Sequence, residues 1–338
     1  MIEQNSIVLV TGGAGYVGAA LVPRLLKEGY RVKVLDLYIY GTEILQAHRG
    51  SHLEEINGDI RDRDLLERVL PGCDTVIHLA SISNDPSFDL NPNLSRAINY
   101  DAFKPLVKIS KASGVGRFIY ASTSSVYGIS KADNVDETHP LLPITDYSKY
   151  KALCEPILLK EQSSGFTTVA VRPATVCGYS PRQRFDLTVN ILTNLAINQR
   201  YITVFGGQQK RANIHINDVV RLYVELLKHP KGRIAGKIFN AGCENHTVGE
   251  IAQIVKAIVQ QEIPSLGDLK IETTTSNDLR SYHISSKKIQ DELGFLPQNS
   301  IEDAVRDLCR AFEAGCFKDS MYNNIYYNVR RMQEVHLL

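Results

Sequence analysis

The sequence predicts an α/β protein built on a doubly wound parallel sheet. Three observations carry this: short apolar runs alternate with stretches of helical period, the alternation repeats through six strand-and-helix units, and the turn after the first strand is rich in glycine. The run Ile7-Val8-Leu9-Val10 opens the series within 6–11, and further strands are expected at 31–36, 53–57, 74–79, 117–122 and 167–172. Amphipathic helices are expected between them at 17–28, 65–70, 94–112 and 147–162. Sheets of this kind place their ligands beyond the carboxyl ends of the strands.

The second half is more mixed. Helices are expected at 185–198, at 217–228, where Val219, Val220, Tyr223, Leu226 and Leu227 recur at helical spacing, and at 248–259, 285–293 and 301–312. Strand-like pieces lie at 237–240 and 270–274. No linker rich in Pro, Gly and Ser parts the halves, so the second lobe is expected to be interleaved with the first. The tail from Lys318 carries Tyr322, Tyr326, Tyr327, Arg330 and Arg331 and reads as a surface helix packed on its own lobe or on a partner subunit.

Composition narrows the function classes. Hydrophobic residues make up 43% and charged residues 22% of the 338, the balance of a soluble globular chain. With 38 Lys and Arg against 37 Asp and Glu, the net charge is +1, so no field steers the chain toward nucleic acid or anionic lipid, and neither is an expected partner. Its apolar stretches fall far short of the ~18 residues a membrane span needs. Met1 to Ser6 lead into the first strand without the charged, apolar and cleavage regions of a signal peptide, so a cytoplasmic location is expected. Six cysteines (73, 154, 177, 243, 309, 316) form no Cys-x-x-Cys pair, and no His-Glu-x-x-His is present. Reduced, mostly packed thiols and no metal site follow as expectations.

The turn Thr11-Gly12-Gly13-Ala14-Gly15-Tyr16-Val17-Gly18 places glycines at 12, 15 and 18. Such a turn lets backbone N–H groups approach a pyrophosphate at the start of a helix. Asp36 ends the second strand 21 residues past Gly15, where a carboxylate can hydrogen-bond a ribose diol. It also repels a 2′-phosphate, and no Arg or Lys follows closely, so NAD is favoured over NADP. Farther on, Tyr147-Ser148-Lys149-Tyr150-Lys151 holds Tyr-x-x-x-Lys at the start of an expected helix. Residues four apart share a helix face, and the Lys151 charge favours a Tyr147 phenolate, turning a weak acid into a usable general base.

With Gly-x-x-Gly-x-x-Gly, Tyr-x-x-x-Lys and Thr123, 24 residues before Tyr147, the chain resembles the extended short-chain dehydrogenase/reductases of the UDP-glucose 4-epimerase type over residues 6 to 312. The resemblance implies a Rossmann lobe with a smaller, interleaved C-terminal substrate lobe. It assigns 1–178 to NAD binding with 205–235 contributing back, 179–204 and 236–317 to the substrate, and 318–338 to a tail. The cofactor residues it implies are Gly12, Gly15, Tyr16, Val17, Gly18, Asp36, Asp59, Ile60, Leu79, Ala80, Asn99 as a helix residue supporting the site, Tyr147, Lys151, and Pro173 near the carboxamide. The substrate residues it implies are Thr123, Ser124, Asn190, Arg211 and Arg280, the arginines suiting a diphosphate.

By the same resemblance, Tyr147, aided by Lys151, removes a proton from a sugar hydroxyl, on carbon 4, while hydride leaves that carbon for NAD. Thr123 hydrogen-bonds the same oxygen. The substrate class is a nucleotide-diphospho-sugar, the product a ketosugar, and the assembly a homodimer built through helices 94–112 and 147–162. Family 4,6-dehydratases carry Asp-Glu after the Thr, whereas Ser124-Ser125 stand here, which disfavours dehydration. An epimerase working through a transient ketosugar is the leading expectation. The stretch from Arg172 to Asn190 resembles a subgroup that oxidises or reduces carbon 4 of nucleotide-linked sugars and heptoses in surface-polysaccharide pathways, so a net 4-dehydrogenase or 4-ketoreductase stands as the alternative. A non-catalytic dinucleotide-binding regulator is more remote, since the Tyr and Lys are both present. His78 and His215 read as core or supporting groups, Cys177 as a packed thiol, and His48 and His52 as solvated surface.

Overall fold

The computed structural model describes residues 5–336 apart from 131, 133, 276–280 and 282. Six strands fall in the first half: β1 (Ile7–Thr11), β2 (Arg31–Asp36), β3 (Leu53–Asn57), β4 (Thr75–His78), β5 (Arg117–Ala121) and β6 (Thr167–Pro173). Helices α1 (Tyr16–Lys27), α2 (Arg63–Val69), α3 (Asp85–Leu90), α4 (Pro92–Arg96), α5 (Phe103–Ala112) and α6 (Asp146–Lys160) lie between them. The second half adds β7 (Thr175–Cys177), α7 (Thr188–Gln199), β8 (Tyr201–Phe205), β9 (Lys210–His215), α8 (Ile216–Lys228), α9 (Lys231–Ile234), β10 (Lys237–Ala241) and β11 (Glu244–Thr247). It closes with α10 (Val248–Glu262), β12 (Lys270–Thr274), α11 (Lys287–Leu293), α12 (Ile301–Glu313) and α13 (Asn328–Glu334).

The central sheet is parallel throughout, in the order β10-β6-β5-β4-β1-β2-β3. The order reverses between β1 and β4, where Thr11 pairs with His78, and this switch point opens a crevice at the carboxyl edge. Alternation along β1 builds both cores. Val8 and Val10 face one apolar cluster with Leu21, Leu25 and residues of α8, while Leu9 faces the other with Leu66, Phe103 and Phe118. Each fully buried side chain of this size contributes roughly 1.5–3 kcal/mol.

β10, within the stretch 236–317 that the resemblance gives to the substrate lobe, is the edge strand of the central sheet, with Phe239 opposite Val171. The second lobe has its own core, where α7, α10 and α12 bury Leu192, Ile251, Val255 and Val305. Two small sheets, β11-β9-β7 and β12-β8, accompany it. The continuous helix expected over 94–112 is divided into α4, a π turn at Ala97–Asp101 and α5. That wide turn brings Asn99 to the Ile82 backbone, which it meets twice: Oδ1 accepts from the N–H and Nδ2 donates to the carbonyl, both at 2.9 Å.

The tail is not confined to its own lobe. Phe317 packs on Phe185 and Phe312 with ring centroids 5.0 and 4.7 Å apart, and α13 then returns to α3 and buries Met332 in the sheet core. Among the described residues, no helix is long and apolar enough to cross a membrane, and no cluster of His, Cys, Asp and Glu is placed to hold a metal.

Candidate active site

A cleft of about 430 Å³ opens at the switch point. Its floor is the glycine turn. Gly12 adopts φ +75°, and a Cβ there would stand 2.6 Å from the Ala80 nitrogen; a Cβ at Gly18 would stand 2.4 Å from the Gly12 carbonyl oxygen. Only glycine lets β1, the following turn and the loop after β4 approach this closely. Gly15 caps α1 without any side-chain hydrogen bond. The first N–H groups of α1, with the positive end of the helix dipole, are thus left for an anionic ligand.

Asp36 closes one end of the cleft. Its carboxylate accepts the N–H groups of Ala14 at 2.9 Å and Tyr38 at 2.8 Å, while burial pushes the carboxyl above its ordinary range. Asp59, Ile60, Leu79 and Ala80 line the adjoining wall, together with Gly12, Gly15, Tyr16, Val17 and Gly18. An acid beside a glycine cradle and an uncapped helix start fits NAD.

At the other end, Thr123, Ser124, Tyr147, Lys151 and Pro173 face the same cleft. Thr145 caps α6 through a reciprocal pair with Ser148, so Tyr147 stands in the first turn, in the positive field of the helix. One turn later Lys151 is 4% exposed and donates to the Ala121 carbonyl at 2.8 Å. Burial pushes its ammonium down to about 8. Thr123, two residues past β5, is extended and caps the short turn Ser124–Tyr127, accepting from the Ser125 N–H at 3.2 Å.

Several expected residues lie elsewhere. Asn190 is fully buried and does not line the cleft. Its Oδ1 accepts the Gly178 N–H at 3.0 Å, and its Nδ2 donates to the Tyr16 hydroxyl at 3.1 Å and the Arg184 carbonyl at 2.9 Å, which leaves no amide group for a substrate. Asn99 is likewise buried and reaches the site only through Ile82. Arg172, beside Pro173, carries no expected role and is held in an ion pair with Glu155 at 2.6 Å. Arg211, on β9, does line the cleft, and Arg280 lies outside the described residues. Cys177 is buried against the Ile214 carbonyl, with its thiol pushed up by burial, while His48 and His52 are exposed.

Other lining residues were not foreseen: Tyr40, Arg182, Arg184, Asp186, Asn328 and Met332. The paired arginines of Pro181-Arg182-Gln183-Arg184, in a loop beyond β7, were the available signal. Arg184 pairs with Asp186 at 2.8 Å.

A dinucleotide turn and a Tyr/Lys pair facing one cleft are the equipment of a short-chain dehydrogenase/reductase. The chain belongs to the NAD dependent epimerase/dehydratase family, whose model matches residues 8–242. It is 27% identical to the dTDP-glucose 4,6-dehydratase of Streptomyces niveus, over 88% of this chain and 90% of that protein. It is also 27% identical to the UDP-glucose 4-epimerase of Lactobacillus helveticus, over 88% of this chain and 94% of that one. Among solved structures it is similar to UDP-glucuronic acid 4-epimerase from Bacillus cereus in complex with UDP-glucuronic acid and NAD, with 27% identity, a TM-score of 0.80, and coverage of 91% of this chain and 99% of that chain. The protein is accordingly an NAD-dependent enzyme of the extended short-chain type.

Proposed function

We propose that the chain is a nucleotide-sugar epimerase that oxidises its sugar at carbon 4 to a transient ketosugar and reduces it again in the same cleft. The observation that carries this reading is Thr123-Ser124-Ser125 facing the cleft that also holds Tyr147 and Lys151. NAD, when bound, supplies the hydride acceptor and donor. Tyr147 takes the proton of the sugar hydroxyl, its phenolate favoured by the α6 N-terminus and by the Lys151 charge. With its ammonium pushed down to about 8, Lys151 remains mainly protonated at neutral pH. Thr123 can donate to or accept from the same oxygen.

Elimination of water needs an acid and a base at neighbouring carbons. Neither serine has a useful pKa, and the four carboxylates that line the cleft are engaged: Asp36 accepts the Ala14 and Tyr38 N–H groups, Asp59 pairs with Arg61 at 2.6 Å, Asp85 accepts from Thr145 at 2.6 Å, and Asp186 pairs with Arg184 at 2.8 Å. That argument favours epimerisation over 4,6-dehydration. Arg211 supports a diphosphate-linked sugar as substrate, the class to which the dTDP-glucose and UDP-glucose of those relatives belong. A homodimer through the faces of α4, α5 and α6 belongs to the same proposal, and Leu153 on α6 is 41% exposed.

Tyr147→Phe tests the base. Across a panel of UDP-, GDP-, TDP- and CDP-sugars, kcat on the accepted substrate is expected to fall about 100- to 10,000-fold. Turnover of the variant at the wild-type rate would show that Tyr147 is not the base.

A further inference from the structure

The C-terminal segment has no part in the chemistry above, yet it reaches the cleft. Asn328 is 2% exposed and joins two loops, the one after β4 and the one between β7 and α7: its Oδ1 accepts from Arg182 Nη2 at 2.5 Å, its Nδ2 donates to Ser83 Oγ at 3.0 Å, and its backbone N–H donates to Asp186 Oδ2 at 3.0 Å. Farther along α13, Arg331 Nε donates to the Ile39 carbonyl at 2.5 Å, and Met332, 3% exposed, lines the cleft. Ile39 and Tyr40 lie on the loop that follows Asp36. The tail is therefore latched to the loop that bounds the ribose end.

Arg182 is held inside this latch. Its guanidinium carbon stands 3.4 Å from the centre of the Tyr40 ring, and its Nε is buried without a hydrogen-bond partner among the described residues. Burial pushes the guanidinium down to about 10. A buried cation with an unused donor on the wall of a dinucleotide cleft is poised for an oxygen-rich anionic ligand.

We propose that the C-terminal segment is the outer wall of the cofactor site: through Asn328 it seats Arg182 against the adenosine-diphosphate half of the dinucleotide, and it must lift before the cofactor can leave. The inference rests on the reading of this cleft as the NAD site. Lifting α13 breaks the Asn328 and Arg331 bonds together and exposes Met332, so release is slow. Slow release suits an enzyme that keeps its cofactor across two half-reactions.

NADH release from the full-length chain is the test, followed at 340 nm with an excess of alcohol dehydrogenase and acetaldehyde to consume whatever is freed. Asn328→Ala is expected to release NADH about 10-fold faster, the equivalent of one buried hydrogen bond at the latch. Arg331→Gln, which alters a partly exposed contact and spares the fold, is expected to speed release about threefold. Asp36→Ala reports on the cleft itself, through the affinity for NADH. If both tail variants release NADH at the wild-type rate while Asp36→Ala weakens binding, the strap is overturned and the cleft stands. If Asp36→Ala leaves NADH affinity unchanged, the cleft reading falls and the strap with it. Melting of the cofactor-free variants identifies any that fails to fold, and Arg331→Gln then decides the matter.

Discussion

At the end of β4, His78 is 2% exposed, with Nδ1 and Thr11 Oγ1 2.7 Å apart, and the ring stacks beside Tyr120. Burial, reinforced by the Lys151 charge, pushes the imidazolium down to about 3. The ring therefore stays neutral in the folded chain while the unfolded chain takes up a proton near pH 6.5. Stability from this site is complete above that pH and drains away as pH falls toward 3, by roughly 1 kcal/mol per pH unit. Denaturant unfolding of wild type and His78→Gln between pH 6.5 and 5 checks this: the wild type is expected to show the steeper loss, and equal slopes would disprove it. Other residues read unevenly from sequence. Tyr147, Lys151 and Thr123 were legible because helical spacing and the end of a strand place them without long-range information. Asn190 and Asn99 were not, since a single sequence does not reveal which distant backbone groups consume an amide. Arg182 approaches Asp36 and Tyr40 only through tertiary folding, so the absence of a basic neighbour after Asp36 in sequence said nothing about the space around it.

Among the elements, α8 depends on a side chain that periodicity could not expose. Arg117, fully buried at the start of β5, donates from Nη1 to the carbonyls of Leu226 and Leu227 and from Nη2 to that of His229 at 3.0 Å. Those are the unpaired carbonyls at the end of α8, where the helix dipole is negative. Arg117→Leu leaves them buried and unmet, and is expected to cost about 2–4 kcal/mol of unfolding free energy. A loss of less than about 0.5 kcal/mol in urea titration would mean that α8 does not need the cap. The strands of the first half read well because apolar runs bounded by turns have little alternative in a sheet buried on both faces. The break at Ala97–Asp101 was hidden, because the apolar spacing continues through it while the π turn answers to Ile82 across the chain. β10 was legible as a strand, but its sheet was not, since pairing with β6 is a matter of topology.

For the whole molecule, near-neutral charge and the lack of a linker predicted a soluble, interleaved pair of lobes. Charge is spent locally: Arg182, Arg184 and Arg211 face one cleft in a chain whose net charge is +1. The aromatic tail ties the second-lobe residues Phe185 and Phe312 to the cofactor end of the first lobe, through contacts that no local pattern encodes. In the proposed epimerase, oxidation and reduction occur in one cleft with the cofactor retained. Incubating the enzyme with its nucleotide sugar, reading the product by NMR while recording absorbance at 340 nm, tests it directly. The expected product is the carbon-4 epimer, formed without an added electron acceptor and without lasting absorbance. NADH accumulating in step with the substrate consumed, or a ketosugar or dehydrated sugar as the end product, would contradict it.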